Sequence, residues 1–171
     1  MVKELQTPIS DADIQKLHVG DRIRLSGYIY AGRDAVLPKV VMLVQEKKAE
    51  GMNIRLRGSA IFHTAVSPAG VGPTSSNKLE IESSIEPLSE AGVKLHIGKG
   101  RLSKETVAAL NQNNSAYVVI PPVSALLTSQ TSEERVVAYS ELGMEAFYRI
   151  KISDYEGIIA AVHGKSIYDE E

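Results

Sequence analysis

The 171-residue chain has no cysteine and no tryptophan, and its aromatic set is limited to seven Tyr and two Phe. Without thiols it can build no disulfide framework, use no thiol nucleophile and supply no thiolate to a metal or iron–sulfur cluster. The histidines His18, His63, His96 and His163 are scattered, with no metal-ligand spacing to Asp or Glu, so an electrophile or metal serving this chain comes from elsewhere. No basic run and no aromatic stripe interleaved with Lys or Arg is present, which excludes the usual footprint of a nucleic-acid binder. Long apolar runs are also missing. Residues 1–6 turn polar before a signal-like core could form, and no segment approaches membrane-spanning length. The expectation is a cytoplasmic protein with neither a membrane nor a nucleic-acid partner.

What is present is an ordinary globular balance, with 43% hydrophobic residues, 23% charged residues and a net charge of −2. That length suits one core and is short for two, so residues 1–171 are read as one domain. Ser10 or Asp11 caps a short helix to Leu17 that Gly20 ends. Residues 22–30 alternate as a strand with Ile23, Leu25 and Ile29 on one face, and Pro38 opens a helix to Lys47. Residues 59–65 form a strand, and the Gly, Pro and Ser of 67–76 indicate a loop. A strand over 93–97 ends in Gly98-Lys99-Gly100, and Ser103 caps a helix to about Asn111. Residues 117–120 are a buried strand. Pro121 and Pro122 break the chain before a short helix at 123–127, and 135–139 is a further strand. The pattern predicts a closing hairpin of 146–152 and 157–163, with His163-Gly164 in a turn before Ile167. Strands and short helices in this order give an α/β fold with a mixed sheet.

Three turns stand out: Arg33-Asp34-Ala35, Gly72-Pro73-Thr74-Ser75-Ser76 and Gly98-Lys99-Gly100. Loops that follow strands in α/β folds carry free backbone N–H groups and occasional cations toward a carboxylate or phosphate. Arg33 could grip a carboxylate through its two-pronged guanidinium, or pair on the surface with Asp34. The hydroxyls of 74–76 could line an anion site, or cap a helix. Lys99 could project into a site at the carboxyl end of the sheet, or sit in a solvated turn. His63 and His96 have the pattern of packing or surface residues rather than ligands.

Taken in order, Gly32-Arg33-Asp34-Ala35, Ala60-Ile61-Phe62-His63, Gly72-Pro73-Thr74-Ser75-Ser76, Ile97-Gly98-Lys99-Gly100 and Glu141-Leu142-Gly143-Met144-Glu145-Ala146 resemble the β subunit of class I fumarate hydratase and L-tartrate dehydratase. The resemblance runs over nearly the whole chain. It implies a single swivelling β/β/α domain with a mixed sheet, either a separate subunit or the C-terminal half of a longer polypeptide. It further implies a hetero-oligomer whose α subunit supplies three cysteines to a 4Fe–4S cluster, this chain holding no metal.

The reaction so implied is reversible hydration of fumarate to L-malate, with dehydration of L-tartrate as the nearest enzymatic alternative. A non-catalytic carboxylate-binding or assembly module retaining the fold is the alternative from another class. By the same resemblance Arg33, Thr74, Ser75, Lys78 and Lys99 contact the C4 dicarboxylate, and Thr74 and Lys99 are catalytic. Two departures stand beside these matches. Leu37 occupies a position where the family commonly has His, and Asn77-Lys78 stands where it commonly has Gly-Arg, keeping charge but losing the guanidinium fork.

Overall fold

The computed structural model describes residues 2–67, 70–74, 78–120, 127 and 129–169, with backbone only for 67, 70–74 and 78–81. The strands are β1 (Val2–Gln6), β2 (Arg22–Gly32), β3 (Ala60–Ser67), β4 (Gly70–Thr74), β5 (Leu95–Gly98), β6 (Ala116–Val119), β7 (Thr131–Ala138), β8 (Phe147–Val162) and β9 (Lys165–Ser166). The helices are α1 (Asp11–Gln15), α2 (Leu37–Gln45), α3 (Lys78–Glu90) and α4 (Lys104–Gln112). No helix among the described residues is long and apolar enough to cross a membrane.

The sheet is mixed, in the order β1-β2-β3-β5-β6-β8-β7, with β4 on β3 and β9 on β8. Neighbours β1–β2, β2–β3, β3–β5 and β5–β6 run parallel. The long β8 runs antiparallel to β6 and returns to pair antiparallel with β2. Pairings β2-β3-β5-β6-β8-β2 therefore close into a ring. Alternation then decides which side chains meet. Leu25, Ile29, Phe62, Ile97, Val118, Ile150 and Tyr155 fill the inside in one cluster. The outer face of the parallel strands carries Tyr30 and Ile61, which pack with Val40 and Leu43 of α2 and Leu88 of α3. Tyr117 packs with Val107 and Leu110 of α4.

The helix starts follow local rules. Ser10 Oγ accepts from the Asp13 N–H at 3.1 Å while the Asp13 carboxylate accepts from the Ser10 N–H at 3.0 Å, a reciprocal capping box. Ser10→Ala should therefore cost about 1 kcal/mol of stability, read from urea unfolding. Ser103 caps α4 through its Oγ, which accepts from the Thr106 N–H. The Glu82 carboxylate of α3 accepts from both the Ser103 N–H and the Thr106 hydroxyl at 2.8 Å, which ties α3 to α4.

Several expectations change. The stretch over 67–76 is not simply a loop, since β4 pairs antiparallel with β3 at Thr64↔Thr74, Val66↔Val71 and Ser67↔Gly70. Pro73 is tolerated there because, among the described residues, β4 is bonded on one side only. The expected hairpin of 146–152 and 157–163 is one strand, β8. Asp154 takes a left-handed φ of 55° where the β2 register shifts between Leu25 and Gly27, so the chain bulges and continues. Gly157 lies within β8, where a Cβ would be 2.5 Å from Val118 Cγ1, so glycine lets β6 approach β8. Helix α3 and strand β1 carry too little periodic apolar pattern to be read locally; α3 even contains Pro87. The short helix expected at 123–127 lies outside the described residues except at Leu127.

Candidate active site

The strand register brings the candidate cations to one edge. Gly32 of β2 lies beside His63 of β3, Phe62 of β3 beside Ile97 of β5, and Gly98 of β5 beside Val119 of β6. Arg33 and Lys99 each leave a parallel strand one residue beyond that level, on either side of β3. Their backbones are separated by roughly two strand spacings, about 10 Å. Thr74 ends β4 opposite Thr64 of β3, at the same edge. Ligand groups in open parallel sheets collect at such carboxyl ends. Ser75 lies outside the described residues, and the side chains of Thr74 and Lys78 do too; Lys78 opens α3 at the level of the backbone.

Arg33 sits in the tight link from β2 to α2, where its carbonyl accepts from the N–H groups of Val36 and Leu37 at 3.0 and 2.9 Å. Its guanidinium grips the Glu145 carboxylate with both prongs: Nε donates to Oε1 and Oε2 at 2.8 and 2.9 Å, and Nη2 donates to Oε1. Asp34 is a loose neighbour at 3.9 Å, so the partner expected from adjacency is not the main one. The Glu145 carboxylate raises the pKa of Arg33 further, opposed by partial burial. Nη1 has no partner among the described residues, which leaves that side of the fork for a ligand. Lys99 is exposed and makes no hydrogen bond or ion pair among the described residues. Glu145 escaped the local reading because it is 112 residues from Arg33 in sequence.

A second feature escaped it as well. His63 and His96 lie on adjacent strands on the helix-covered face, fully excluded from solvent, with His63 Nε2 3.0 Å from His96 Nδ1. His96 Nε2 in turn lies 2.9 Å from Ser89 Oγ of α3. Burial pushes the His63 imidazole down to about 3, and burial together with His63 holds His96 well below the ordinary histidine value. Both rings are neutral at pH 7. The folded pKa lies below the unfolded one, so the unfolded chain takes up protons that the folded chain refuses as pH falls below about 6.5. Stability should drop from pH 6.5 toward 3, by up to about 1.4 kcal/mol per pH unit for each such histidine. Urea unfolding at pH 7, 6 and 5 measures this slope.

At the opposite, amino-terminal edge lies a cleft of about 1360 Å³ lined in part by Pro8, Arg55, Arg57, Gly58, Ser89 and Lys94. Lys94 there pairs with Asp11 at 2.5 Å. Neither Arg33 nor Lys99 lines this cleft, and at the carboxyl edge β4, which ends in Thr74, is described by its backbone alone.

Fold and edge together define a mixed α/β domain that presents an arginine and a lysine beyond the ends of parallel strands, an arrangement suited to a small anion. Comparison with known proteins narrows this. Residues 2–171 match the family model described as Fumarase C-terminus. The chain is 30% identical over 183 residues to the L(+)-tartrate dehydratase subunit beta of Escherichia coli (strain K12), covering 99% of this chain and 88% of that protein. It is 28% identical to a putative L(+)-tartrate dehydratase subunit beta of Methanocaldococcus jannaschii, over 95% of this chain and 89% of the relative. A putative fumarate hydratase class I of Geobacillus stearothermophilus is 26% identical over 97% of this chain, which spans only 33% of that protein. The chain belongs to the Fumarase C-terminus family.

Proposed function

We propose that this chain is the β subunit of a two-subunit hydro-lyase acting on a C4 dicarboxylate, in the first place the reversible hydration of fumarate to L-malate. The observation that supports the reading is that Arg33 and Lys99 follow β2 and β5 at the same level on the two sides of β3, at the edge where Thr74 also ends its strand. Removal of water from a 2-hydroxy acid takes a proton from the carbon beside a carboxylate, so negative charge builds on that carboxylate. Fixed cations hold it there and cost no reorganisation when the charge develops. In this proposal Arg33 clamps one carboxylate with the free side of its fork, with Glu145 holding the guanidinium in place. Lys99 supplies the second charge, and Thr74, Ser75 and Lys78 complete the substrate contacts. Thr74 and Lys99 serve the proton transfers, the hydroxyl needing an activating neighbour to do so.

An iron–sulfur cluster does not fit this chain's donors: the sequence has no cysteine, and no group of three His, Asp or Glu able to hold a metal occurs among the described residues. The proposal accordingly assigns the 4Fe–4S cluster to the partner α subunit, and the assembled complex to the cytoplasm. Dehydration of L(+)-tartrate is the second reading, favoured by the nearly full-length match to separate subunits so named.

Anaerobic co-purification with a cysteine-bearing partner, followed by assay against fumarate, malate and tartrates, tests both. The complex is expected to turn over at least one of them, and this chain alone none. Turnover by partner-free, metal-analysed protein would overturn the divided site, and a complex silent on every one of them would leave a non-catalytic carboxylate-binding module.

A further inference from the structure

Two features have no task in the function proposed above: the polar chain of Ser89, His96 and His63, and the cleft of about 1360 Å³ at the amino-terminal edge. The chain is buried, whereas the cleft opens to solvent. Three connections meet in its wall. The Gly58 N–H donates to the Gly92 carbonyl at 2.9 Å, and the Ile9 N–H donates to the Gly58 carbonyl at 2.7 Å. Gly92, at a φ of 113°, permits this lacing, because a Cβ there would lie 2.7 Å from the Arg57 Cα. Main-chain bonds of this kind set the shape of the wall before any ligand arrives.

Two arginines rise from that framework. Burial alternates along 54–57, so Ile54 and Leu56 face the core while Arg55 and Arg57 share the solvent side and line the cleft. The Arg55 backbone is pinned further, its N–H donating to the Tyr30 hydroxyl at 2.8 Å. Neither guanidinium makes a hydrogen bond or an ion pair among the described residues. The acids of the cleft do not supply one. Asp11 is taken by Lys94 at 2.5 Å and senses Arg57 only as a more distant charge. Lys94 gives its other donors to the carbonyls of Asn113 and Asn114, both at 3.3 Å, so it contributes charge without bonds to spare. Glu50 and Glu90 line the cleft with Lys47, all three exposed.

Arginine forks without partners, set in a preformed concave wall, suit the oxygens of an anion, to which each offers two parallel N–H bonds. Four cations line the cleft with three carboxylates, so a single negative charge gains little there. An ion with two or more charges spread over several oxygens can use both forks at once.

We infer that this cleft is a second binding site, in which Arg55 and Arg57 hold one polyvalent oxyanion, a diphosphate or a dicarboxylate, with Lys94 adding fixed charge. The site lies at the opposite edge of the sheet from Arg33 and Lys99, so its occupant does not compete with a ligand held there. It stands independently of the reading given for that edge.

Calorimetric titration of the full chain with inorganic pyrophosphate and, separately, with malate at low ionic strength tests the site. At least one should bind, with an affinity that falls as salt is added. Arg55→Gln and Arg57→Gln should each weaken that binding about tenfold, the share of one charge-assisted contact, and the double variant should abolish it. Arg57→Lys keeps the charge and loses the fork, so it should recover only part. Arg33→Ala and Arg135→Gln remove cations from the carboxyl edge and from the exposed part of β7, and should leave binding within about twofold. Both cleft arginines are exposed, so their variants should keep the wild-type urea midpoint. Binding of pyrophosphate assigns the site to phosphorylated ligands and binding of malate to dicarboxylates, and each supports it. No binding of either ion, or binding that Arg33→Ala or Arg135→Gln weakens as much as the cleft variants do, overturns the inference.

Discussion

Arg33→Ala in the assembled enzyme is expected to lower kcat/KM by roughly a hundredfold, the effect of losing about 3 kcal/mol of charge-assisted binding. The guanidinium is only partly exposed and is oriented by Glu145, so little of its binding power is spent on ordering a free side chain. The ion pair itself is partly open to solvent, and its loss should change folding stability by no more than about 1 kcal/mol. That difference separates the two roles. A large kinetic loss with near-normal urea unfolding assigns Arg33 to substrate, and normal kinetics with a measurable stability loss makes it the structural partner of Glu145. Arg33→Lys should recover only part of the activity, because an ammonium cannot serve Glu145 and a ligand carboxylate with two forks at once.

The largest effect on stability is expected at Phe62→Ala, about 3–5 kcal/mol by denaturant unfolding. Phe62 is fully buried inside the ring of strands and meets Tyr155 edge to face, with ring centroids 6.1 Å apart. Those strands are bonded on both sides, so their backbones cannot move in to fill the void, and the cavity cost adds to the lost transfer energy. Against a typical total of about 5–15 kcal/mol, this is enough to place the variant near unfolding at ordinary temperature. A loss under about 1 kcal/mol would mean that the ring interior is not close-packed as described. Phe62 also immediately precedes His63, so the packing of the inner face holds in place the strand that carries the polar chain on the outer face.

Several features needed only local chemistry to be read. The capping residues Ser10 and Ser103 were legible because the bonds they make reach three residues along the chain. The alternation of Ile23, Leu25 and Ile29 marked β2 because a strand repeats every second residue. The turn residues after β2 and β5 marked the carboxyl edge, and the family was legible from motifs in sequence order.

Where such local signals mislead, the reason is tertiary. Residues 153–156 fall between two alternating runs, yet β8 continues through them, and the missing side chain of Gly157 just beyond leaves room for Val118 of another strand. Gly70 and Pro73 have the signature of a loop, yet the backbone there finds β3. The weak pattern of α3, with Pro87 inside it, is carried by contacts to α2, α4 and the sheet rather than by its own propensity.

By itself the sequence determined the class of fold, the absence of a thiolate site, the family, and the cations Arg33 and Lys99 that follow strands; each of these is a matter of composition, spacing or short-range bonding. Only the tertiary structure decided that Arg33 is held by Glu145 and that His63, His96 and Ser89 form one chain. Strand register and ring closure bring those groups together from positions 112 and 33 residues apart, and no local pattern encodes which side chains meet when strands align.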